Sequence, residues 1–298
     1  MPDQSRKIDG KVIAKTIKLN VKNLINERIS ILGISPPVLS VLLVGSDEAS
    51  KVYVRQKEIA CKETGIKSFV YQFPDHIDEN SLLSKIRSLN EDKSVHGILL
   101  QLPLPQHINQ DRCLSEINPA KDVDGLTIAN QGKAHLGHPG LYPCTPMAVM
   151  KLLKEVIILE GKLVAVVGYS SLVGAPLTSM LANEGASVFV CHKRSHKPYD
   201  LTRLADILVV ATGVRHLIRG HWIKKGAVVI DVGIHRTGGK ITGDVCPDDV
   251  AKRASWITPV PGGVGPVTVA MLMENCLKAW NNQHQASLDP TGPKNPSQ

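Results

Sequence analysis

Ser50, Tyr53 and Lys57 are spaced three and four apart in a stretch that reads as helix, so their side chains share one face. A hydroxyl, a phenol and an amine together can hold a polar ligand and exchange protons with it. A lysine beside an aromatic hydroxyl serves as acid or base where partial burial favours its neutral form. The same spacing also suits an ordinary exposed helix surface. Further along, "QLPLP" puts Gln101 at a strand end beside stiff prolines, a fixed amide able to orient a neighbour. "DVDG" supplies Asp122 and Asp124. A carboxylate there can accept two hydrogen bonds from a heterocycle with adjacent N–H groups, and an Asx-stabilised turn would use the same residues.

A second group of residues reads as an anion cradle. "VGYSSLVGAP" follows the apolar run "KLVAVV" and precedes a helical stretch, so Gly168, Tyr169, Ser170, Val173 and Gly174 occupy a strand-turn-helix junction. Such glycines serve either phosphate binding or tight packing. It is not a hydrolase nucleophile elbow, because G-x-S-x-G needs glycine where Leu172 stands. The next strand ends in "CHKRSHK", near where dinucleotide-binding folds place an acid on the ribose hydroxyls. Here Lys193, Arg194 and Lys197 stand instead, which favours a 2′-phosphate and therefore NADP over NAD. Thr212 and Gly213 end the following strand, and Ile234 follows the next. Finally, "TPVPGGVGPVTVAML" sets Pro261, Gly262 and Gly263 just ahead of an apolar helix. That stiff segment suits close approach to a ligand or a structural turn.

The elements that must position these residues alternate. Residues 8–32 read as an amphipathic helix, 38–45 as a buried strand, 50–63 as a helix stopped at Gly65, 68–73 as a strand, 80–90 as a helix and 97–104 as a strand. The β-α-β-α-β order predicts a parallel sheet. A Gly- and His-containing loop should follow Leu126, then a helix capped by Thr145 with Pro146 in its first turn. Strands in "KLVAVVG", "ASVFVCH", "DILVVATG" and "AVVIDVGI" then predict a doubly wound Rossmann-type nucleotide-binding domain. The expected fold is thus α/β with two domains. Residues 1–145 form the first, joined by a returning helix at 270–284, residues 146–269 form the second, and 285–298 make a mobile tail.

Composition narrows the partners. The 298 residues are 43% hydrophobic and 21% charged, as in a folded globular protein. No apolar run is long enough for a membrane span and no leader-like segment opens the chain, which predicts a cytoplasmic protein without a membrane partner. Six scattered cysteines without a C-x-x-C pair predict reduced thiols and no metal site, and His135 and His138 are expected in a loop without a third ligand. A net charge of +8 favours anionic partners. Because only 4% of residues are aromatic and the lysines are dispersed, small anions are favoured over nucleic acid.

"YVRQK" (53–57), "QLPLP" (101–105), "KDVDG" (121–125), "PCTP" (143–146), "GYSSLVGAP", "VIDVGI" (229–234) and "TPVPGGVGPVTVAML" occur in the order and spacing of one family. The chain, except its tail, resembles the bifunctional methylenetetrahydrofolate dehydrogenase/cyclohydrolase family. The resemblance implies that 5,10-methylenetetrahydrofolate is oxidised with NADP to the methenyl cation, which water opens to 10-formyltetrahydrofolate in one-carbon metabolism. It implies Lys57 as acid/base of the hydrolytic step with Gln101 as its partner, Tyr53 packed on the folate and Asp124 anchoring the pterin. Ser50, Pro261, Gly262 and Gly263 would complete the folate contacts. Gly168, Tyr169, Ser170, Val173, Gly174, Lys193, Arg194, Thr212, Gly213 and Ile234 would contact the cofactor, and the assembly would be a homodimer. The family commonly has arginine at the position of Tyr169. Tyrosine supplies no charge, so NAD stays open beside NADP, with Lys193 or Arg194 compensating.

Two other readings keep part of this pattern. One is a two-domain NADP-dependent dehydrogenase of another small substrate, which the set Tyr53, Lys57, Gln101 and Asp124 disfavours. The other is a catalytically silent binding protein with a basic surface.

Overall fold

The computed structural model describes residues 5–288. Along the chain run β1 (Arg6–Lys7), α1 (Gly10–Leu32), β2 (Val38–Val44), α2 (Glu48–Thr64), β3 (Lys67–Phe73), α3 (Glu79–Glu91), β4 (Gly97–Leu100), α4 (Gln110–Glu116) and α5 (Ile128–Leu136). These are followed by α6 (Cys144–Lys154), β5 (Leu163–Val167), α7 (Gly174–Asn183), β6 (Ser187–Cys191), α8 (Pro198–Thr202) and β7 (Ile207–Val210). Then come β8 (Val228–Asp231), β9 (His235–Thr237), β10 (Lys240–Thr242), α9 (Pro247–Val250), β11 (Trp256–Ile257) and α10 (Val264–Leu288). No helix among the described residues is long and apolar enough to cross a membrane.

The chain forms two compact units. One combines Ile17–Asn130 with the described residues from Leu272 onward. Its sheet is parallel in the order β3-β2-β4, with Leu42 opposite Tyr71 on one side and Leu100 on the other. β2 and β4 are near-continuous apolar, buried runs, as expected where helices cover a sheet, whereas β3 mixes polar and apolar residues and is partly exposed. Leu82, Leu83 and Ile86 of α3 pack with Leu42, Ile98 and Leu100 in the core. From Leu272 onward the last helix belongs to this unit, through buried and part-buried hydrogen bonds. Asn275 Nδ2 donates to Val123 O at 2.9 Å, Trp280 Nε1 to Ser35 O at 3.1 Å and Gln283 Nε2 to His96 O at 2.8 Å.

The other unit combines the described residues up to Thr16 with Gln131–Met271. Its six-stranded sheet has the order β1-β11-β8-β7-β5-β6, and every pairing is parallel. Strand order reverses at β5, since β6 lies on one side and β7 on the other. Open α/β sheets bind ligands beyond the carboxyl ends of their strands at such a point.

Several elements differ from the sequence reading. The N-terminal strand joins the six-stranded sheet, with Arg6 opposite Trp256 and Lys7 opposite Ile257, so the described residues up to Thr16 group with Gln131–Met271 and not with the residues that follow them. Two residues at a sheet edge carry too little pattern to be read. β4 ends at Leu100 and not at Leu104, because Pro103 and Pro105 cannot donate to a ladder. Helix α6 begins at Cys144 after Pro143 with no side-chain cap, so Thr145 is not the cap. The loop expected after Leu126 contains α5, which places His135 on a helix. Thr127 Oγ1 accepts from Asn130 N at 3.3 Å, a capping signal that was readable. The hairpin β9–β10 closes through Gly238 and Gly239, both at positive φ, as a two-residue turn requires. Of the tail expected from 285, residues 285–288 continue α10 and the rest lie outside the described residues.

One buried histidine predicts a pH response. His96 Nδ1 accepts from Val38 N at 3.1 Å, and its ring stacks on His284 with centroids 5.4 Å apart. Burial, assisted by the charges of His284 and Lys121 and opposed by Asp92, pushes the imidazole down to about 4. The unfolded imidazole titrates near 6.5. Its stabilising contribution is therefore complete above about pH 6.5 and is lost as pH falls through about 4. His96→Asn keeps an acceptor for Val38 and removes the titration. In urea denaturation between pH 6.5 and 4, stability of the parent should fall more steeply than that of the variant, by up to about one proton in slope. Parallel curves would refute the assignment.

Candidate active site

Helix α2 starts where its sequence allows. Asp47 caps it by accepting from Ser50 N at 2.7 Å, and that amide with the Ser50 hydroxyl holds the Asp47 carboxyl below its usual range. Ser50 is thereby buried at the first turn, while Tyr53 and Lys57 follow half-buried on the same face. Lys57 Nζ donates to Gln101 Oε1 at 2.9 Å. Gln101 is only 8% exposed and directly follows β4. Its backbone N donates to Leu42 O at 2.9 Å and its Nε2 to Leu102 O at 2.7 Å. The second of these bonds settles which way the amide faces. A carbonyl takes the NH₂ end, so the oxygen must point at the amine.

The two aspartates of "DVDG" separate. Asp122 is 1% exposed and accepts from Leu126 N at 3.1 Å, Thr127 N at 2.8 Å and Asn130 Nδ2 at 2.9 Å. It is the Asx-type organiser of the turn into α5. Asp124 is half-buried, and the turn is pinned from behind by the Asn275 bond to Val123 O. Lys121 is buried too and donates to the carbonyls of Leu89, Asn90 and Asp92, which makes it a cap for the end of α3.

Asp124 and Lys57 share one electrostatic neighbourhood. The buried Cys276 thiol is pushed well up by burial, then by Cys61 and the Asp124 charge, and Lys57 opposes them. Cys61, one turn beyond Lys57, is pushed up to about 12 chiefly by burial, and Lys57 again opposes. Both sulfurs stay protonated near neutral pH. Lys57 is the group there suited to moving a proton.

In the six-stranded unit the 168–174 turn lies at the switch point. Gly168 has φ of 103°, and a Cβ there would lie 2.0 Å from Ala211 O; one on Gly174 would lie 2.1 Å from Gly168 O. Both glycines therefore let the chain pass close to itself, which satisfies the packing reading and also leaves a backbone-lined turn beyond β5. Ser170 Oγ accepts from Val173 N at 3.2 Å, and Tyr169 is 56% exposed. Lys193 and Arg194 are exposed at the end of β6, in a turn closed by Ser195 N donating to His192 O at 2.8 Å. Thr212 and Gly213 sit at the end of β7, and the exposed Ile234 follows β8. Pro261–Gly263 pack against the start of α1, where a Cβ on Gly10 would lie 1.9 Å from Gly263 O. His135 Nδ1 lies 2.7 Å from Ser179 Oγ.

The structure thus joins Lys57 to Gln101 directly and Asp124 to Lys57 through the field at Cys276. Ser50 and Tyr53 share α2 with Lys57, the expected cofactor residues follow the carboxyl ends of β5, β6, β7 and β8 as far as the first residue of α7, and Pro261–Gly263 lie in the segment before α10. Sequence reasoning missed Asn275, Asp231, His235 and Asp244. Asn275 lies in the middle of a helix and shows no spacing signal; Asp231 and Asp244 are buried acids at strand or loop ends and were readable only as ordinary turn residues.

An α/β chain with a lysine held by an amide in one unit and a doubly wound parallel sheet in the other has the architecture of a nucleotide-binding enzyme. The family model "Tetrahydrofolate dehydrogenase/cyclohydrolase, catalytic domain" matches residues 8–124, and that of the NAD(P)-binding domain matches 143–284. The bifunctional protein FolD of Campylobacter jejuni strain RM1221 is 49% identical over 279 residues, covering 93% of this chain and 98% of that protein. Among solved structures, the bifunctional FolD methylenetetrahydrofolate dehydrogenase/cyclohydrolase of Campylobacter jejuni has a TM-score of 0.90 at 48% identity, covering 93% of this chain and 99% of that one. The Trypanosoma brucei enzyme complexed with NADP cofactor and inhibitor has a TM-score of 0.91 at 38% identity, covering 95% and 100%. The chain belongs to the tetrahydrofolate dehydrogenase/cyclohydrolase family.

Proposed function

We propose that this chain oxidises 5,10-methylenetetrahydrofolate with NADP and hydrolyses the resulting methenyl cation to 10-formyltetrahydrofolate. The observation that carries the reading is the Lys57–Gln101 pair, held 2.9 Å apart within the segment that matches the family's catalytic domain. Asp124 anchors the pterin by accepting its adjacent N–H groups, Tyr53 packs on the folate ring, and Ser50, Pro261, Gly262 and Gly263 shape the rest of its site.

Hydrolysis asks for two proton movements. Water loses a proton as it attacks the methenyl carbon, and a ring nitrogen gains one before the carbon–nitrogen bond breaks. Lys57 Nζ takes the first and delivers the second. Gln101 Oε1 holds the amine in place through both, because its own orientation is fixed by Leu102 O. Hydride transfer asks for no proton from the protein, only for positioning. Two features support a dinucleotide in the six-stranded unit: the backbone-lined turn Gly168–Gly174 at the switch point and the exposed basic loop at the end of β6. NADP, when bound, supplies the hydride acceptor. Gly168, Tyr169, Ser170, Val173 and Gly174 would hold its diphosphate, Lys193 and Arg194 its 2′-phosphate, and Thr212, Gly213 and Ile234 its nicotinamide half. The protein acts as a homodimer in the cytoplasm.

Lys57→Met keeps the length of the side chain and removes the amine. Methenyl hydrolysis, corrected for the spontaneous rate, should fall by roughly 10²–10⁴ while NADPH formation on the same preparation stays measurable. Retained hydrolysis in the folded variant would assign the proton to another residue.

Cofactor preference rests on the basic loop, since Tyr169 brings no charge. A charge-assisted phosphate contact is worth about 1.5–3 kcal/mol, or roughly tenfold or more in affinity. Replacing Lys193 and Arg194 together by alanine should weaken NADP far more than NAD in a titration of both. Equal losses, or a parent enzyme that prefers NAD, would reject the assignment.

A further inference from the structure

Two buried carboxyl groups stand behind the strand ends of the six-stranded unit, and neither belongs to a salt bridge with lysine or arginine among the described residues. Asp244, 0% exposed, takes four hydrogen bonds. Its Oδ2 accepts from Thr212 N at 2.6 Å, Thr212 Oγ1 at 2.8 Å and Gly213 N at 3.0 Å, and its Oδ1 receives His235 Nε2 at 2.7 Å. Asp231, 4% exposed, accepts from Gly233 N and Asp244 N at Oδ1 and from Val245 N at Oδ2, each at 3.0 Å. Its own backbone N donates to Thr258 Oγ1 at 2.8 Å.

The pair is built in at a cost. Burial, with the charge of Asp244 adding to it, pushes Asp231 up to about 6 against the pull of its three backbone donors. Glycines make room for both acids: a Cβ on Gly233 would lie 2.1 Å from Asp244 Oδ1, and one on Gly243 would lie 1.9 Å from Asp231 Oδ2. Well-packed apolar side chains would fill the same volume without the desolvation penalty. What they would not supply is directional acceptors for the amides of 212, 213 and 233. Those amides belong to the two loops that carry Thr212, Gly213 and Ile234.

We propose that Asp244, seated on Asp231, is a positioning residue for the nicotinamide half of the dinucleotide. It locks the loop after β7 to the loop after β8 so that Thr212, Gly213 and Ile234 present a preformed contact surface. The proposal rests on the cofactor reading given above. His235 fastens the second loop to the same carboxylate, and Thr258 extends the network into the segment that leads to Pro261. A ligand contact made by a loop that is already ordered loses less entropy on binding than one made by a loop that must be fixed at that moment.

The test uses the full-length protein and separates NADP binding from hydrolysis of methenyltetrahydrofolate, which consumes no NADP. Asp244→Asn keeps the size of the side chain but turns one acceptor into a donor facing donors. Calorimetric NADP affinity should fall tenfold or more, while kcat/KM for hydrolysis changes less than twofold. NADP affinity within twofold of the parent, or hydrolysis lost in step with it, overturns the proposal. If Asp244→Asn does not fold, His235 supplies the second route. His235→Ala should weaken NADP by about threefold or more and His235→Gln, which restores a donor, should recover it; equal affinity in both overturns the proposal. Ile234→Ala separates the two levels of inference. Loss of NADP binding in Ile234→Ala with none in Asp244→Asn rejects the positioning role alone. No loss in either variant rejects the cofactor assignment of these loops as well.

Discussion

A single side-chain amide, that of Gln101, fixes the Lys57 amine in the three-stranded unit. It can hold Lys57 because the parallel register of β4 on β2 brings Leu100 opposite Leu42 and lets Gln101 N reach Leu42 O before the prolines end the strand. Leu102 O then takes the NH₂ group, leaving only the oxygen for the amine. Were the amide reversed, two donors would face each other, and an unsatisfied buried donor typically costs about 1–3 kcal/mol. Sheet register, proline placement and side-chain orientation thus converge on where one amine stands.

Around that pair the fold excludes competitors. The thiols of Cys61 and Cys276 lie close enough to feel the Lys57 charge, yet burial keeps them protonated near neutral pH. Asp122 spends its oxygens on the turn into α5, and Lys121 spends its amine on the carbonyls that end α3. Lys57, by contrast, gives its amine to a side chain, the oxygen of Gln101. The six-stranded unit divides its polar groups similarly, with basic side chains exposed on the loop after β6 and buried carboxyl groups turned inward on the backbone.

Much of this was legible in the chain. The alternation of apolar runs with helical stretches predicted both parallel sheets, and glycines at strand-helix junctions predicted the turn at 168–174. The Ser50, Tyr53 and Lys57 face and the fixed amide of Gln101 were read from spacing and prolines, although no spacing rule could say that Lys57 and Gln101 would bond to each other. What escaped depends on contacts between residues distant in sequence. The edge strand Arg6–Lys7 exists only because β11 is there to pair with it. Asp244 looks like a turn aspartate until the fold brings Thr212 and His235 to it. Helix α5 and the Gly238–Gly239 turn are different, since their capping and turn residues were present in the sequence; for α5 the surrounding glycines and histidines favoured a loop.

The central claim is that one bound folate, anchored by Asp124, serves both reactions, with the proton steps confined to Lys57, which Gln101 holds in place. Asp124→Asn bears on it most directly, because the amide keeps the shape of the carboxyl group but sets a donor against a pterin N–H. Dehydrogenase and cyclohydrolase activities should be measured on one preparation of this variant across a range of folate concentrations. The account predicts that kcat/KM for the folate substrate falls by the same factor in both. A loss confined to hydrolysis, with oxidation left at the parent rate, would place Asp124 in the proton chemistry and contradict it.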